Sequence, residues 1–312
     1  MNSAPLISIL MPAFNAEKFI TEAINSIIKQ DYPNWELLIL NDASTDSTSV
    51  IIGSFQDARI KVFHHSNNEG YVQSCNELFG KAKGAFITFL DADDACAENR
   101  LSLCLEEFAQ HPELDFLTTN HHRNSDSGQA ISENRVDVDY NRYSKDSSYH
   151  PTICCATAFL RKTLLDKVGG YQPFFATIGG EDYFWIWELS RAGKGTHIVK
   201  SLYHYRQHAL QTSKTHQNQL SLFVPELLCA LKHNLLDSSW DNTVVTSVER
   251  DIREKYLKSA FQLNLRMAEA ALNQHHPKFR QLAKRAFVNI RQLNEMIQFA
   301  VLLKSWTARQ LG

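Results

Sequence analysis

Three acids fall within four positions in the run Leu90-Asp91-Ala92-Asp93-Asp94. Carboxylates that close repel one another unless protons or a cation intervene, and a hard divalent ion with oxygen ligands is the usual answer. The same run would also serve as the acidic start of a helix predicted over Glu98 to Phe108, where negative charge complements the helix dipole. A second candidate is Asn41-Asp42-Ala43-Ser44-Thr45-Asp46, which offers a carboxylate at a strand end and capping residues beyond it. The third is Gly179-Gly180-Glu181-Asp182, ahead of the aromatic run Tyr183-Phe184-Trp185-Ile186-Trp187. Two glycines there permit a close backbone approach and an exposed carboxylate, although a helix cap would also explain them.

These acids need elements that bring them together. Ile7 to Met11 reads as a buried strand, and Asn15 as the N-cap of a helix carrying Phe19, Ile20, Ala23, Ile24 and Ile27. Trp35 to Leu40 is the next strand. Ser44 to Asp46 then caps a helix with Val50, Ile51 and Phe55, and Ile60 to Phe63 is a third strand. After a turn at Asn67 to Gly70, Tyr71 to Lys81 is helical and Ala85 to Leu90 is a fourth strand. This alternation predicts an α/β fold, a mostly parallel sheet flanked by helices. Ligands of such folds collect beyond the carboxyl ends of the strands, which directs attention to the residues after Met11, Leu40 and Leu90. His121 to Tyr149 is polar and aperiodic, so a loop is expected there. A strand over Ala156 to Leu160, a short helix to Val168 and a helix over Glu181 to Arg191 follow. From about Leu220 the pattern is helical, and the chain divides into a catalytic domain over 1–217 and a helical appendage over 218–312.

In this order and spacing the segments resemble the family 2 glycosyltransferases of GT-A fold. The matching residues are Ser8 to Asn15, Asn41 to Asp46, Gly84 to Asp94, Val168-Gly169-Gly170-Tyr171, Gly180-Glu181-Asp182 and Tyr205-Arg206-Gln207-His208. The resemblance implies a Rossmann-like GT-A domain, a nucleotide-sugar donor, a divalent metal (Mn2+ or Mg2+), and inversion at the anomeric carbon. Carried over residue by residue, it implies that Pro12, Ala13, Phe14 and Asn15 line the nucleotide pocket and that Asp42 accepts a hydrogen bond from the base, with uridine the expected nucleoside. Asp91 would lie near the ribose and Asp93 on the metal bridging the diphosphate, with Asp94 sharing that duty. Asp182 would be the catalytic base, with Glu181 its neighbouring acid. Arg206 would touch the diphosphate or acceptor, and His208 the metal. The chain departs from the family pattern at Asn41, Ala43, Phe184 and Glu188, the last two on the acceptor side. The acceptor expected is a hydroxyl of a glycan or lipid-linked sugar in cell-surface polysaccharide synthesis. A catalytically silent module binding nucleotide or glycan is the alternative, but it has no need of Asp42, Asp91, Asp93 and Asp182 together. A nucleotidyltransferase would want a glycine-rich phosphate loop after the first strand, where Pro12 to Asn15 holds none.

The 312 residues are 44% hydrophobic and 21% charged, with a net charge of -2. That excludes a disordered tail or disulfide miniprotein and leaves no global field for nucleic acid, so no nucleic-acid partner is expected. Six cysteines without a C-x-x-C pair read as reduced core thiols. Pro5 and Pro12 bracket the first apolar run, with no basic residue before it, and Met296 to Leu303 falls well short of the ~20 residues of a bilayer crossing. A soluble cytoplasmic protein is expected. From His275 onward, Lys278, Arg280, Lys284, Arg285, Arg291, Lys304 and Arg309 face Glu295 alone, interleaved with apolar residues. Such a helix would pack on the catalytic domain, join a homodimer, or attach peripherally to anionic lipid at the inner face of the membrane.

Overall fold

The first strand, β1 (Ile7–Ala13), is buried along its whole length because parallel strands lie on both sides of it: β2 (Trp35–Asn41), equally buried, and β4 (Phe86–Phe89). Strands covered on both faces read as near-continuous apolar runs, which Ile7 to Met11 and Trp35 to Leu40 are but for Ser8 and Glu36, a buried pair in which Ser8 Oγ donates to Glu36 Oε1 (2.6 Å). The computed structural model describes residues 4–145, 151, 153–173, 176, 180–209, 211, 299–300, 302–303 and 306. β3 (Ile60–His64) lies on the far side of β2, also parallel. The intervening helices are α1 (Ile20–Ile28), α2 (Thr48–Gly53) and α3 (Tyr71–Lys81).

Beyond β4 the sheet becomes mixed. A two-residue strand β5 (Ala95–Cys96) and α4 (Arg100–Gln110) lead to β6 (Phe116–Asn124), β7 (Ala130–Asn134) and α5 (Tyr140–Lys145). A 3-10 turn over Cys155–Thr157, β8 (Phe159–Arg161), α6 (Lys162–Val168), α7 (Glu181–Ala192) and β9 (Gly195–Arg206) complete the described elements. The strand order is β3-β2-β1-β4-β8-β6-β9-β5, with β7 added on β6. β8 runs antiparallel to both β4 and β6, whereas β9 runs parallel to β6. This is the expected α/β architecture, a largely parallel sheet flanked by helices.

Several expectations change in detail. The polar stretch from His121 is not one loop: it holds the end of β6, all of β7 and α5. β6 is buried although polar, because Thr118 shares hydrogen bonds with Tyr140 Oη (2.6 Å) and His197 Nδ1 (2.7 Å), and Asn120 bonds both the N–H and the carbonyl of Val136. The strand expected over Ala156 to Leu160 begins as the 3-10 turn and becomes extended only at Phe159. Asn15 is not an N-cap. Helix α1 starts at Ile20, and Asn15, in the left-handed region at φ 49°, accepts from Thr45 N (2.8 Å) and so ties the end of β1 to the loop after β2.

Two sequence details set how β1 and β4 pair. Leu10 O accepts from Leu90 N and Ala13 O from Asp42 N, so alternate residues of β1 address β4 and β2. Pro12 addresses the β4 side, past the last β1–β4 pair at Leu10 and Phe89, where no ladder donor is required of it. Gly84, at the entrance to β4, passes so close to β1 that a Cβ would lie 2.5 Å from Ser8 N and 2.8 Å from Leu6 O. No larger residue fits there without moving the two strands apart.

Cys75, Cys96, Cys104 and Cys155 are buried free thiols and Cys154 is a half-buried one. Cys229 and the basic C-terminal segment from His275 fall almost wholly outside the described residues. The chain divides into two units, Met1–Asn218 and Gln219–Gly312. Among the described residues no helix is long and apolar enough to cross a membrane.

Candidate active site

Asp91 and Asp93 follow β4 directly, beyond the carboxyl ends of β1 and β4. Arg100, fully buried at the start of α4, holds that strand end by donating to Phe89 O (2.8 Å) and to Thr88 Oγ1 (2.8 Å). Asp91 Oδ1 accepts from Tyr71 Oη (3.2 Å), and Asp91 N donates to Tyr203 Oη (3.2 Å). Burial, and then the charge of Asp93, push the Asp91 carboxyl up to about 7, with the Tyr71 hydroxyl pulling the other way. Asp93 points its Oδ2 at His208 Nε2, 2.9 Å away. That ring packs on Phe19 with centroids 4.8 Å apart, and His208 N donates to Gln211 Oε1 (2.8 Å). Residues 93 and 208 are therefore brought together as expected.

The paired acids sit at the start of α7. Gly180 adopts φ 94°, a conformation open to glycine, and turns the chain into the helix. Asp182 Oδ1 accepts from Tyr183 N (2.7 Å). Burial raises its pKa, opposed by that N–H and by the Cys155 thiol. Burial and the adjacent Asp182 push Glu181 up to about 8, with Asp91 adding to the rise. Asp91 in turn feels the charge of Asp182, so the acids after β4 and those at the head of α7 belong to one electrostatic site. An aromatic pile connects the two: Tyr71 stacks on Tyr171 (6.3 Å), Tyr171 on Phe89 (6.2 Å), and Trp185 of α7 packs edge-on against both Tyr171 (5.4 Å) and Phe89 (5.7 Å). Tyr71 remains 40% exposed, so its ring forms part of the wall of the site.

Two of the expected residues are engaged in the protein interior. Asp94, assigned to the metal, is 2% exposed; its Oδ1 accepts from Arg206 N (2.7 Å) and so anchors the end of β9, while its Oδ2 is buried without a hydrogen-bond partner among the described residues. Burial raises its pKa well above the ordinary carboxylate range, helped by Asp93 and Asp91. Arg206, assigned to the diphosphate or acceptor, is 3% exposed and spends its guanidinium inside the protein. Nε donates to Asp93 O (2.9 Å), Nη1 to Asp126 O (2.9 Å) and Nη2 to Glu22 Oε2 (2.6 Å), and the group lies over the Phe19 ring. Arg206 is a strut joining α1, the β6–β7 turn and the Asp93 peptide. Arg206→Ala is accordingly expected to cost about 3 kcal/mol of stability in chemical denaturation, because buried carbonyls are left unpaired. Lysine cannot replace a fork that bonds in three directions. Unchanged stability with weakened nucleotide binding would return Arg206 to the ligand.

The remaining expected residues lie around the strand ends. Pro12 and Ala13 are buried in β1, while Phe14 (49% exposed) and Asn15 open to solvent just beyond it. Asp42 is buried at the end of β2, where Oδ1 accepts from Glu69 N (2.8 Å) and His65 Nδ1 (2.7 Å), and Oδ2 from Gly70 N (2.8 Å). Oδ2 carries that single bond and keeps a lone pair for a ligand. Ala43 stands at φ 54°, where glycine would be relaxed, a strain of about 1–2 kcal/mol. Of the α7 departures, Phe184 is buried, and Glu188 is pushed up to about 7 by burial, with Arg191 opposing. Nothing in the structure explains Glu188. Tyr71, Arg100 and Tyr203 were not legible as site residues; each contributes through a contact made across the fold.

Among the described residues no group of three or more His, Cys, Asp or Glu side chains could hold a metal by itself. The donor set nonetheless fits one whose remaining ligands come from a phosphate substrate. Such ions are often held by one or two protein ligands plus phosphate oxygens, and Asp93 with His208 supplies that pair (2.9 Å) beside Asp91, whose pKa is raised by burial and then by the charge of Asp93. A further consequence concerns stability. Glu181 and Asp91 bind their protons more tightly folded than unfolded, so their ionisation destabilises the fold as pH rises from about 4 to about 8. Glu181→Gln should therefore raise the Tm relative to the parent at pH 8 and much less at pH 5. An equal effect at both pH values would contradict this.

Comparison with known proteins places these features in context. The family described as glycosyl transferase family 2 matches residues 8–169. WfgD of Escherichia coli, a UDP-Glc:alpha-D-GlcNAc-diphosphoundecaprenol beta-1,3-glucosyltransferase, is 34% identical over 186 residues, spanning 58% of this chain and 68% of that one. The putative colanic acid biosynthesis glycosyl transferase WcaA of E. coli K12 is 37% identical over 122 residues, 38% of this chain and 44% of its own. Among solved structures, S. aureus TarS 1-349 in complex with UDP-GlcNAc superposes with a TM-score of 0.61 at 18% identity, covering 91% of this chain and 88% of that one. The mannosyltransferase PcManGT from Pyrobaculum calidifontis, in complex with GDP-Man and Mn2+, gives 0.54 at 17% identity, covering 100% and 82%.

Proposed function

Because the chain belongs to glycosyl transferase family 2 and is a nucleotide-sugar glycosyltransferase, we propose that it moves a sugar from a UDP donor to a hydroxyl of a glycan or lipid-linked acceptor, with inversion. The observation that carries this is the meeting of Asp91 and Asp93 with Glu181 and Asp182 in one electrostatic site at the carboxyl ends of β1 and β4. In this reading residues 1–217 form the catalytic domain. Asp42 Oδ2 accepts from the N3–H of uracil, and Phe14 and Asn15 border the nucleotide. Asp91 takes the ribose, with its carboxylate oriented by Tyr71.

Asp182 removes the proton from the acceptor hydroxyl as that oxygen bonds to the anomeric carbon, and the bond from this carbon to the diphosphate breaks with its electron pair leaving on the phosphate. Burial raises the pKa of Asp182, which makes it a stronger base than an ordinary aspartate. Asp93 and His208 would hold a divalent ion, whose chemistry is to supply positive charge against the leaving diphosphate. A carboxylate paired with an imidazole favours Mn2+ over Mg2+, which prefers oxygen ligands throughout. Support for UDP and for a lipid-linked acceptor comes from the relative WfgD, whose name carries both. The relative WcaA supports a place in cell-surface polysaccharide synthesis. The C-terminal segment would bring the site to a lipid-linked acceptor at an anionic membrane surface.

A thermal-shift panel of UDP-, CDP- and ADP-sugars with Mn2+ tests the donor, since a ligand that binds only the native state raises its stability and neither cytosine nor adenine carries a ring N–H like that of uracil N3. A rise with UDP-sugars above the others is expected; equal shifts across the panel would remove Asp42 from base recognition.

A further inference from the structure

His65, in the loop after β3, lies between two carboxylates. Its Nδ1 is 2.7 Å from Asp42 Oδ1 and its Nε2 is 3.0 Å from Glu77 Oε2 on α3, with the ring side chain only 7% exposed. A neutral imidazole has one N–H and one lone pair, so in that form one nitrogen would face a carboxylate oxygen with nothing to donate. The imidazolium alone satisfies both partners. Burial opposes the charge, but Asp42, Glu77 and Glu69 (3.9 Å) together hold the pKa above the ordinary histidine value. Lys81 stands behind Glu77 at 3.2 Å, and the neighbouring His64 faces Asn41 instead.

The consequence falls on Asp42. Its carboxylate is held in one orientation by three donors, two backbone N–H groups of the turn before α3 and the imidazolium, leaving the free lone pair on Oδ2 fixed in direction. We infer that His65, kept doubly protonated between Asp42 and Glu77, is a positioning residue that aims Asp42 at the nucleotide base, so that donor binding weakens when the ring loses a proton. This rests on the reading of Asp42 as the base acceptor. Once neutral, the ring has a single proton for two carboxylates, and Asp42 competes with Glu77 for it.

The test is UDP affinity, by calorimetry on the full chain from pH 6 to 8.5 at fixed Mg2+. The parent should lose about fivefold in affinity through one inflection, the value of about one hydrogen bond. Glu77→Gln removes one of the charges that hold the proton, without approaching the nucleotide, and should move that inflection down by about one pH unit. His65→Gln should abolish it. If His65→Gln fails to fold, Glu77→Gln still decides, because Glu77 is 34% exposed. An inflection at the same pH in the parent and Glu77→Gln overturns the inference. Asp42→Asn separates the two layers: weakened UDP binding at every pH upholds Asp42 as the base acceptor whatever His65 does, whereas unchanged binding removes that reading and the inference with it.

Discussion

Asp93→Ala is expected to abolish sugar transfer, lowering kcat/KM by at least roughly a thousandfold, while leaving the fold intact. The side chain is 34% exposed and its partner is His208, so its loss opens no cavity in the core. The peptide of Asp93 keeps its bond from Arg206. What goes is one of two candidate metal ligands, and with it charge stabilisation of the leaving diphosphate, which an excess of Mn2+ cannot restore. Circular dichroism and Tm should match the parent. A variant that transfers sugar at the parental rate in EDTA would remove both the metal and Asp93 from the reaction.

Asp182→Asn should bind donor as the parent does and lose about a hundredfold to ten-thousandfold in turnover. The amide is nearly isosteric and can still accept from Tyr183 N through its oxygen, so the head of α7 stays in place, but it takes no proton from a hydroxyl. The effect is expected in kcat, with the donor KM little changed. A loss confined to donor affinity would transfer the basic role to Glu181, which shares the helix start and whose pKa burial and Asp182 push up to about 8. The pH profile discriminates further. A raised base must lose its proton to act, so the acid limb of kcat belongs to the active carboxyl and disappears with it.

The half of the fold that carries the nucleotide acids was legible because its strands are buried on both faces. Ile7 to Met11, Trp35 to Leu40 and Ala85 to Leu90 are apolar but for one residue each, Ser8, Glu36 and Thr88, and the helix over Tyr71 to Lys81 was found with its observed ends. β6 and β9 were illegible for the opposite reason. Thr118 and Asn120 are buried with their polar groups paired to other parts of the chain, and a run of such residues carries no apolar alternation to read. Asn15 shows the same limit on a smaller scale: its type suits a cap, but its amide oxygen reaches thirty positions along the chain to Thr45.

The site followed a similar division. The positions of Asp91, Asp93, Asp182 and His208 were legible from motif order, and the fold brings them to one end of the sheet. The separate duties of Asp94 and Arg206 were not, because adjacent acids and a buried arginine take their roles from what surrounds them. Asp94 is turned to the backbone of β9 while Asp93, one residue earlier, faces His208. Local spacing cannot distinguish the two.

Direct displacement of a nucleoside diphosphate by an acceptor hydroxyl is tested by the nucleotide product. The full chain, given UDP-sugars with Mn2+ and a lipid-linked glycan acceptor, should release UDP in equal amount to the sugar transferred, with the new linkage inverted relative to the donor. Release of pyrophosphate or of UMP with sugar phosphate, or retention of the donor configuration in the product, would contradict it.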